Sequence, residues 1–148
     1  MKNTIIVDID GTIAKVGDRL KYLQQEKKDW DSFYEHCDED EPWEDMRQLV
    51  QDLDDAGYEI VYCTGRRESV RVKTAKWLIR KGFPFSLGRL LMRKDGDWRH
   101  DTEVKPELLA EVGISPEDVF LILEDRDSMV AKLRDLGFRV LQVNDGKF

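Results

Sequence analysis

The stretch TIIVDIDGTIA, from Thr4 to Ala14, joins an apolar run to two aspartates one residue apart and then to a Gly-Thr pair. The apolar part predicts a buried strand, and Gly-Thr predicts the turn that ends it. Side chains two positions apart on a strand point the same way, so we expect Asp8 and Asp10 to face one pocket. Two neighbouring carboxylates repel each other unless a cation lies between them. The stretch therefore predicts a strand that ends at a charged site.

Four further strand-like runs alternate with helical patterns along the chain. The predicted strands cover residues 4–9, 59–63, 89–92, 119–123 and 139–143. The predicted helices cover residues 43–56, 69–81, 105–113 and 127–137, with Pro106 in the first turn of the third. This alternation predicts an α/β fold, a Rossmann-like doubly wound parallel sheet of about five strands with helices on both faces. We expect a single domain over residues 1–148, in which residues 15–42 form a small cap insertion.

Composition indicates a globular protein with one core. The chain has 148 residues, of which 41% are hydrophobic, and no apolar run approaches the length of a membrane span. Two cysteines, Cys37 and Cys63, are too few for a disulfide scaffold and resemble no zinc motif. We therefore expect a cytoplasmic protein with no membrane partner, and the sequence indicates no obligate protein partner.

The net charge of -7 is unevenly distributed. Residues 66–99 contain eleven Lys/Arg and three Asp/Glu, whereas the rest of the chain is strongly acidic, notably in DEDEPWED from Asp38 to Asp45. Either run can be a solvated surface. Because such a split creates a directional field, the basic segment is also a candidate for attracting an anion.

Open α/β sheets bind ligands at the carboxyl ends of their strands. The residues that follow the predicted strands are Asp8, Asp10, Gly11 and Thr12 after the first, Thr64, Gly65 and Arg66 after the second, and Glu124, Asp125 and Arg126 after the fourth. Lys105 is predicted to open the helix ahead of that fourth strand. The fold would bring these residues together at one edge of the sheet.

Their chemistry suits phosphoryl transfer. The carboxylates of Asp8, Asp10 and Asp125 are hard oxygen donors with no Cys or His among them, a set that favours Mg²⁺. Asp8 can attack phosphorus to form an aspartyl-phosphate, with Asp10 as general acid and base. Thr64 and Lys105 would bind the phosphoryl oxygens, and Gly11 would let the backbone approach the phosphate. Gly65 is also expected at the phosphate-binding site.

The segments DIDGT, CTGR, VK and LEDR, in this order, resemble the four motifs of the haloacid dehalogenase superfamily of phosphatases, and most of all the 3′-phosphatase domain of polynucleotide kinases. The resemblance covers essentially the whole chain. It implies Asp8 as nucleophile, Asp10 as acid–base and as metal ligand through its carbonyl, and Asp125 as metal ligand. Arg19 and Arg66 match arginines near the site of such domains. The fourth motif usually reads Asp-Asp, so Glu124 is a departure.

We therefore predict a Mg²⁺-dependent phosphomonoester hydrolase that removes the 3′-phosphate from DNA or RNA ends. A phosphatase of free nucleotides or of other small phosphomonoesters is the alternative. A non-enzymatic phospho-acceptor, such as a receiver domain, or an inactive binding relative fits less well. A receiver carries its acceptor aspartate after the third strand, and nothing acidic directly follows RLLM, residues 89–92.

Overall fold

The computed structural model of the protein describes residues 2–86 and 88–148, and the opening stretch forms the middle strand of its sheet. The described residues form seven strands: β1 Thr4–Val7, β2 Ala14–Lys15, β3 Glu41–Pro42, β4 Glu59–Arg67, β5 Leu90–Arg93, β6 Val119–Glu124 and β7 Val140–Gln142. Five of them make a parallel sheet in the order β5-β4-β1-β6-β7. The predicted five-stranded parallel sheet is confirmed.

Helices cover both faces of this sheet. The α-helices are α1 Trp30–Glu35, α2 Glu44–Asp55, α3 Arg71–Arg80, α4 Asp101–Glu111 and α5 Asp127–Asp135, and 3-10 turns occupy Asp18–Tyr22, Cys37–Glu39 and Glu68–Val70. Helices α2 and α3 share one buried cluster with Ile5 and Val7, whereas α4 and α5 share the other with Ile6. The period-2 alternation of β1 thus supplies both cores. Within residues 2–86 and 88–148, no helix is both long enough and apolar enough to cross a membrane.

Strand β1 pairs with a strand on each side and packs against helices on both faces of the sheet. Thr4 pairs with Glu59 of β4 and with Val119 of β6, and every residue of the strand is buried. Burial of a Val or Ile side chain contributes roughly 1.5–3 kcal/mol, and β-branched residues suit a pleated strand. The apolar part of the opening stretch therefore fixes the position from which Asp8 emerges.

Three of the element boundaries that differ from the sequence prediction affect the position of the site residues. Strand β1 ends at Val7, so Asp8 and Asp10 lie on the following loop, and β4 continues to Arg67. Helix α4 begins at Asp101 and not at Lys105, because His100 caps it: the His100 side chain accepts a hydrogen bond from the Thr102 N–H. Lys105 therefore lies one turn inside the helix.

The insertion, residues 15–42, lies between β1 and α2 in the chain. Strands β2 and β3 pair antiparallel and close the insertion at its base. Within it, the Trp30 ring stacks on Tyr34 at 5.9 Å between centroids, and Phe33 meets both rings edge-on. An aromatic cluster thus gives this otherwise polar segment a small core of its own.

Most of the basic segment, residues 66–99, is neutralised by carboxylates. Among its residues that the structure describes, every lysine and arginine except Lys76 and Arg80 forms an ion pair. Four pairs join this segment to the insertion: Arg67–Asp31 at 2.6 Å, Lys73–Glu35 at 3.0 Å, Lys81–Glu41 at 3.5 Å and Arg66–Asp40 at 3.8 Å. Part of the charge split seen in the sequence therefore attaches the insertion, and few of the described cations of this segment are left free for an anion.

Candidate active site

Asp8 is the first residue after β1, and its carboxylate is held by two side chains. Lys105 Nζ donates to Asp8 Oδ1 at 2.7 Å, and Thr12 Oγ1 donates to Asp8 Oδ2 at 2.8 Å. The Asp8 N–H donates to the Leu123 carbonyl of β6 at 3.0 Å. The backbone and the side chain of Asp8 are therefore both fixed in position.

Gly11 lets the loop after β1 turn tightly beside a second carboxylate. Its φ of +84° lies in the left-handed region, which disfavours a side chain. A Cβ at this position would overlap the Asp125 carboxylate. Asn144 Nδ2 donates to the Gly11 carbonyl at 2.7 Å and so supports the turn from β7's side of the sheet. Only glycine both adopts this positive φ without strain and leaves room for the Asp125 carboxylate.

Glu124 ends β6 and orients its surroundings through both carboxylate oxygens. Oε2 accepts from Lys105 Nζ at 2.8 Å, while Oε1 accepts the N–H groups of Asp125 at 3.0 Å and of Arg126 at 3.3 Å. The residue that departs from the motif thus positions Lys105 and fixes the loop that carries Asp125.

Three carboxylates form a buried cluster that fits a hard divalent cation. Ligand oxygens of Asp8, Glu124 and Asp125 all lie within 4.8 Å of one another, with one ammonium group, Lys105, beside them. Burial and the Glu124 charge raise the pKa of Asp8 well above its usual range, and burial raises the pKa of Asp125 to about 6. Burial therefore disfavours the charged forms of Asp8 and Asp125, and further positive charge beside them would offset this effect. A cation with a preference for oxygen ligands would supply this charge.

Asp10 lies outside this cluster, because the strand alternation that would align it with Asp8 ends at Val7. Its carboxylate accepts from Arg19 Nη2 at 2.5 Å and from Arg66 Nη2 at 2.6 Å. Burial opposes ionisation, but the two guanidinium groups outweigh it and hold the pKa of Asp10 well below its usual range. The structure thus brings Glu124, and not the Asp10 side chain, together with Asp8 and Asp125. A role for the Asp10 carbonyl as metal ligand stays a prediction.

Arg19 reaches Asp10 from the insertion and is itself held by Asp40. Arg19 Nε donates to Asp40 Oδ1 at 2.9 Å, and its guanidinium lies 4.3 Å from the centre of the Phe33 ring. Trp77 Nε1 of α3 donates to the Asp40 carbonyl at 2.8 Å. Asp40 belongs to the acidic run that the sequence suggested was a solvated surface. Asp40 is buried because the insertion packs against α3, and the local sequence does not predict this contact.

A second ionic group lies beside Thr64 and Gly65. Thr64 is buried and its Oγ1 accepts the Arg66 N–H at 3.1 Å. A Cβ on Gly65 would lie 2.5 Å from Asp101 Oδ1, so glycine permits this close approach. Asp101 pairs with Arg93, and with Arg126 at 3.5 Å. The sequence prediction did not include Asp101 and Arg93. The available signal for Asp101 is its position four residues before Lys105, on the same face of a helix.

Most of the predicted site residues line one cavity of about 950 Å³. Eight predicted residues line it together with Asp8: Asp10, Gly11, Thr64, Gly65, Lys105, Glu124, Asp125 and Arg126. Thr12, Arg19 and Arg66 are not among its lining residues; all three are buried. Aromatic rings complete the lining: Trp30, Phe33, Tyr34, Trp43, Trp98 and Phe148. The arrangement places several carboxylates and the Lys105 ammonium group around a pocket whose walls are partly aromatic.

Solved structures share this architecture. A class C acid phosphatase from Bacillus anthracis aligns with a TM-score of 0.69 at 18% identity, covering 99% of this chain and 68% of that chain. A haloacid dehalogenase-like hydrolase from Streptococcus pneumoniae aligns with a TM-score of 0.65 at 15% identity, covering 95% and 84%. These likenesses concern the fold: the protein has the architecture found in haloacid dehalogenase-like phosphatases.

The family follows from a closer match. The sequence profile of the polynucleotide kinase PNKP phosphatase domain matches residues 2–148, so the chain belongs to that family and is a phosphatase. A chain in the structure of the Pnkp1/Rnl/Hen1 RNA repair complex aligns with a TM-score of 0.83 at 27% identity. The alignment covers 98% of this chain and 43% of that one, so the protein spans less than half the length of this relative.

Proposed function

We propose that the protein removes the 3′-phosphate from DNA or RNA ends in a Mg²⁺-dependent reaction that passes through an aspartyl-phosphate on Asp8. The observation that carries the proposal is the Asp8 carboxylate, held between Lys105 and Thr12 on an acidic cluster at the base of the cavity. Membership of the polynucleotide kinase PNKP phosphatase family supports the choice of a 3′-phosphorylated end.

In the first half of the reaction, an Asp8 oxygen forms a bond to phosphorus while the bond from phosphorus to the 3′-oxygen breaks. Lys105 and Thr64 bind the non-bridging oxygens, and Asp10 gives the leaving oxygen the proton that it took from water in the preceding turnover. When bound by Asp8 and Asp125, Mg²⁺ supplies positive charge that offsets the charge of the phosphoryl group and keeps Asp8 ionised.

In the second half, water attacks the phosphorus, the bond between Asp8 and phosphorus breaks, and inorganic phosphate leaves. Asp10 accepts the proton of that water. The arginine pair around Asp10 favours its carboxylate form, which is the form that this step needs. Asp8 returns to its initial state, so the enzyme turns over without a co-reactant other than water.

The test compares phosphate release from a 3′-phosphorylated oligothymidylate, thymidine 3′-monophosphate and a sugar phosphate. We expect the highest kcat/KM for the oligonucleotide, loss of turnover in chelator and recovery with Mg²⁺. Asp8→Asn should retain less than about 1% of turnover with an unchanged circular dichroism spectrum, because the amide is nearly isosteric but a poor nucleophile. A sugar phosphate as the best substrate, or full activity in chelator, would contradict the proposal.

A phosphatase of free nucleotides is the second candidate, and two observations favour it. The ion pairs of residues 66–99 leave few free cations for a nucleic-acid backbone, and a cavity of about 950 Å³ lies within the range of small-molecule pockets. Equal kcat/KM for the oligonucleotide and the mononucleotide would select this candidate.

A further inference from the structure

A layered stack of side chains crosses one wall of the cavity. The Arg67 guanidinium carbon lies 5.1 Å from the centre of the Tyr34 ring and 4.4 Å from the centre of the Trp98 ring. Trp30 stacks on Tyr34 in turn. These residues come from α1, from the end of β4 and from the loop after β5, and the three aromatic residues line the cavity. The stack therefore joins the insertion to the main fold beside the phosphatase site.

Polar contacts hold the inner part of this stack in place. Arg67 Nη1 pairs with Asp31 at 2.6 Å, and the Tyr34 hydroxyl donates to the Gly65 carbonyl at 3.2 Å. With rings on both sides and a carboxylate beside it, the Arg67 charge is already engaged. The Arg67 guanidinium therefore supports the Trp98 ring and is not available to bind a substrate phosphate.

Trp98 is the outer member of the stack and is 71% exposed. A guanidinium group lies over its ring, yet most of its large apolar surface stays in contact with solvent. Such a ring in a ligand cavity offers its free face to a second planar group, because offset stacking gains energy from both dispersion and the ring quadrupole. Nucleobases stack on aromatic side chains in this way whatever their sequence, since every base has a π-face.

We propose that Trp98, supported by Arg67 and Tyr34, is a nucleobase subsite that stacks the terminal base of the substrate. It selects 3′-phosphates that carry a base over phosphomonoesters that lack one. The inference rests on the proposed function and names how its substrate is recognised. Stacking is worth about 1–3 kcal/mol per base, which corresponds to roughly 5- to 150-fold in kcat/KM.

The experiment uses two 3′-phosphorylated oligothymidylates that differ only at the terminal nucleotide, one with thymine and one with an abasic tetrahydrofuran. The wild type should prefer the thymine substrate by about 5-fold or more, and Trp98→Ala should bring this ratio close to one. Trp98→Phe should restore part of the preference. Phe120→Ala is the matched control, because Phe120 is an exposed aromatic residue that stacks on Tyr58 and does not line the cavity.

A binding measurement separates this inference from the proposed function. Thymidine 3′-monophosphate should quench the tryptophan fluorescence of the wild type more than that of Trp98→Phe. Quenching without phosphate release from any oligonucleotide would leave the subsite intact and overturn the proposed function. Equal hydrolysis of the two oligonucleotides, a preference that survives in Trp98→Ala, or no quenching at Trp98 would overturn the subsite.

Discussion

Lys105→Met should destabilise the protein as well as inactivate it, because Lys105 is the cation of the acidic cluster. Its side chain is 5% exposed, and Nζ lies 2.7 Å from Asp8 Oδ1 and 2.8 Å from Glu124 Oε2. Methionine keeps the length and the apolar stem but removes the charge. Asp8, Glu124 and Asp125 would then be buried together with no ammonium group beside them.

Removal of one partner from a buried ion pair typically costs about 3–5 kcal/mol, and Lys105 serves two carboxylates. In chelator, we therefore expect the free energy of unfolding to fall by an amount near the upper end of this range. The control is Lys94→Met, whose partner Glu111 is on the surface; those side chains are 69% and 50% exposed. An exposed pair contributes about 0–1 kcal/mol, so this control should unfold almost as the wild type does.

The assay is urea unfolding at neutral pH, first in chelator and then with added Mg²⁺. A cation that binds only the folded state adds about 2.7 kcal/mol at 100 times its Kd, so Mg²⁺ should recover part of the loss in Lys105→Met. Phosphate release should stay strongly impaired even then, because Lys105 is the group proposed to bind the phosphoryl oxygens. Equal stability of the two lysine variants in chelator would refute the assignment of Lys105 as the cation that balances the cluster.

Three further perturbations test other parts of the site. Gly11→Ala should lower stability and activity more than Gly113→Ala: both glycines have positive φ, but only the Cβ at residue 11 would meet a carboxylate, that of Asp125. Burial opposes ionisation of Asp101, but the surrounding cations, including Arg93, outweigh it and lower its pKa. Its ionised form therefore stabilises the fold above about pH 4, and the stability gap to Asp101→Asn, measured by urea unfolding, should shrink as the pH falls below that value. Rising ionic strength should reduce kcat/KM of the oligonucleotide and the mononucleotide by similar factors; a steep loss for the oligonucleotide alone would show that residues 66–99 bind its backbone.

The parts of the fold that depend on local pattern could be predicted from the sequence. Apolar runs and their alternation with helices gave the parallel sheet, and the rule that ligands lie at strand ends gathered Asp8, Thr64 and Asp125 around one cavity. Cytoplasmic location and the absence of an obligate protein partner stay predictions.

What could not be predicted depends on contacts between distant segments. Asp10 was grouped with Asp8 on the assumption that the strand continues, whereas Arg19 and Arg66 bind its carboxylate. Asp40 and its neighbours look alike in sequence, and only the return of the insertion onto α3 buries one of them. Which lysines and arginines of residues 66–99 form ion pairs likewise depends on the tertiary structure.

The order of the strands has a consequence for how the protein is made. The first strand of the chain is the middle strand of the sheet, so β1 cannot complete its hydrogen bonding until both β4 and β6 have been synthesised. Pairing across such long separations pays a large loop-closure entropy and slows folding. The partners of Asp8 are also synthesised late, because Lys105 belongs to α4 and Glu124, which binds Lys105, ends β6. A nascent chain therefore contains Asp8 early but the side chains that surround it late, and a ribosome-bound chain that ends before β6 should release no phosphate from substrate.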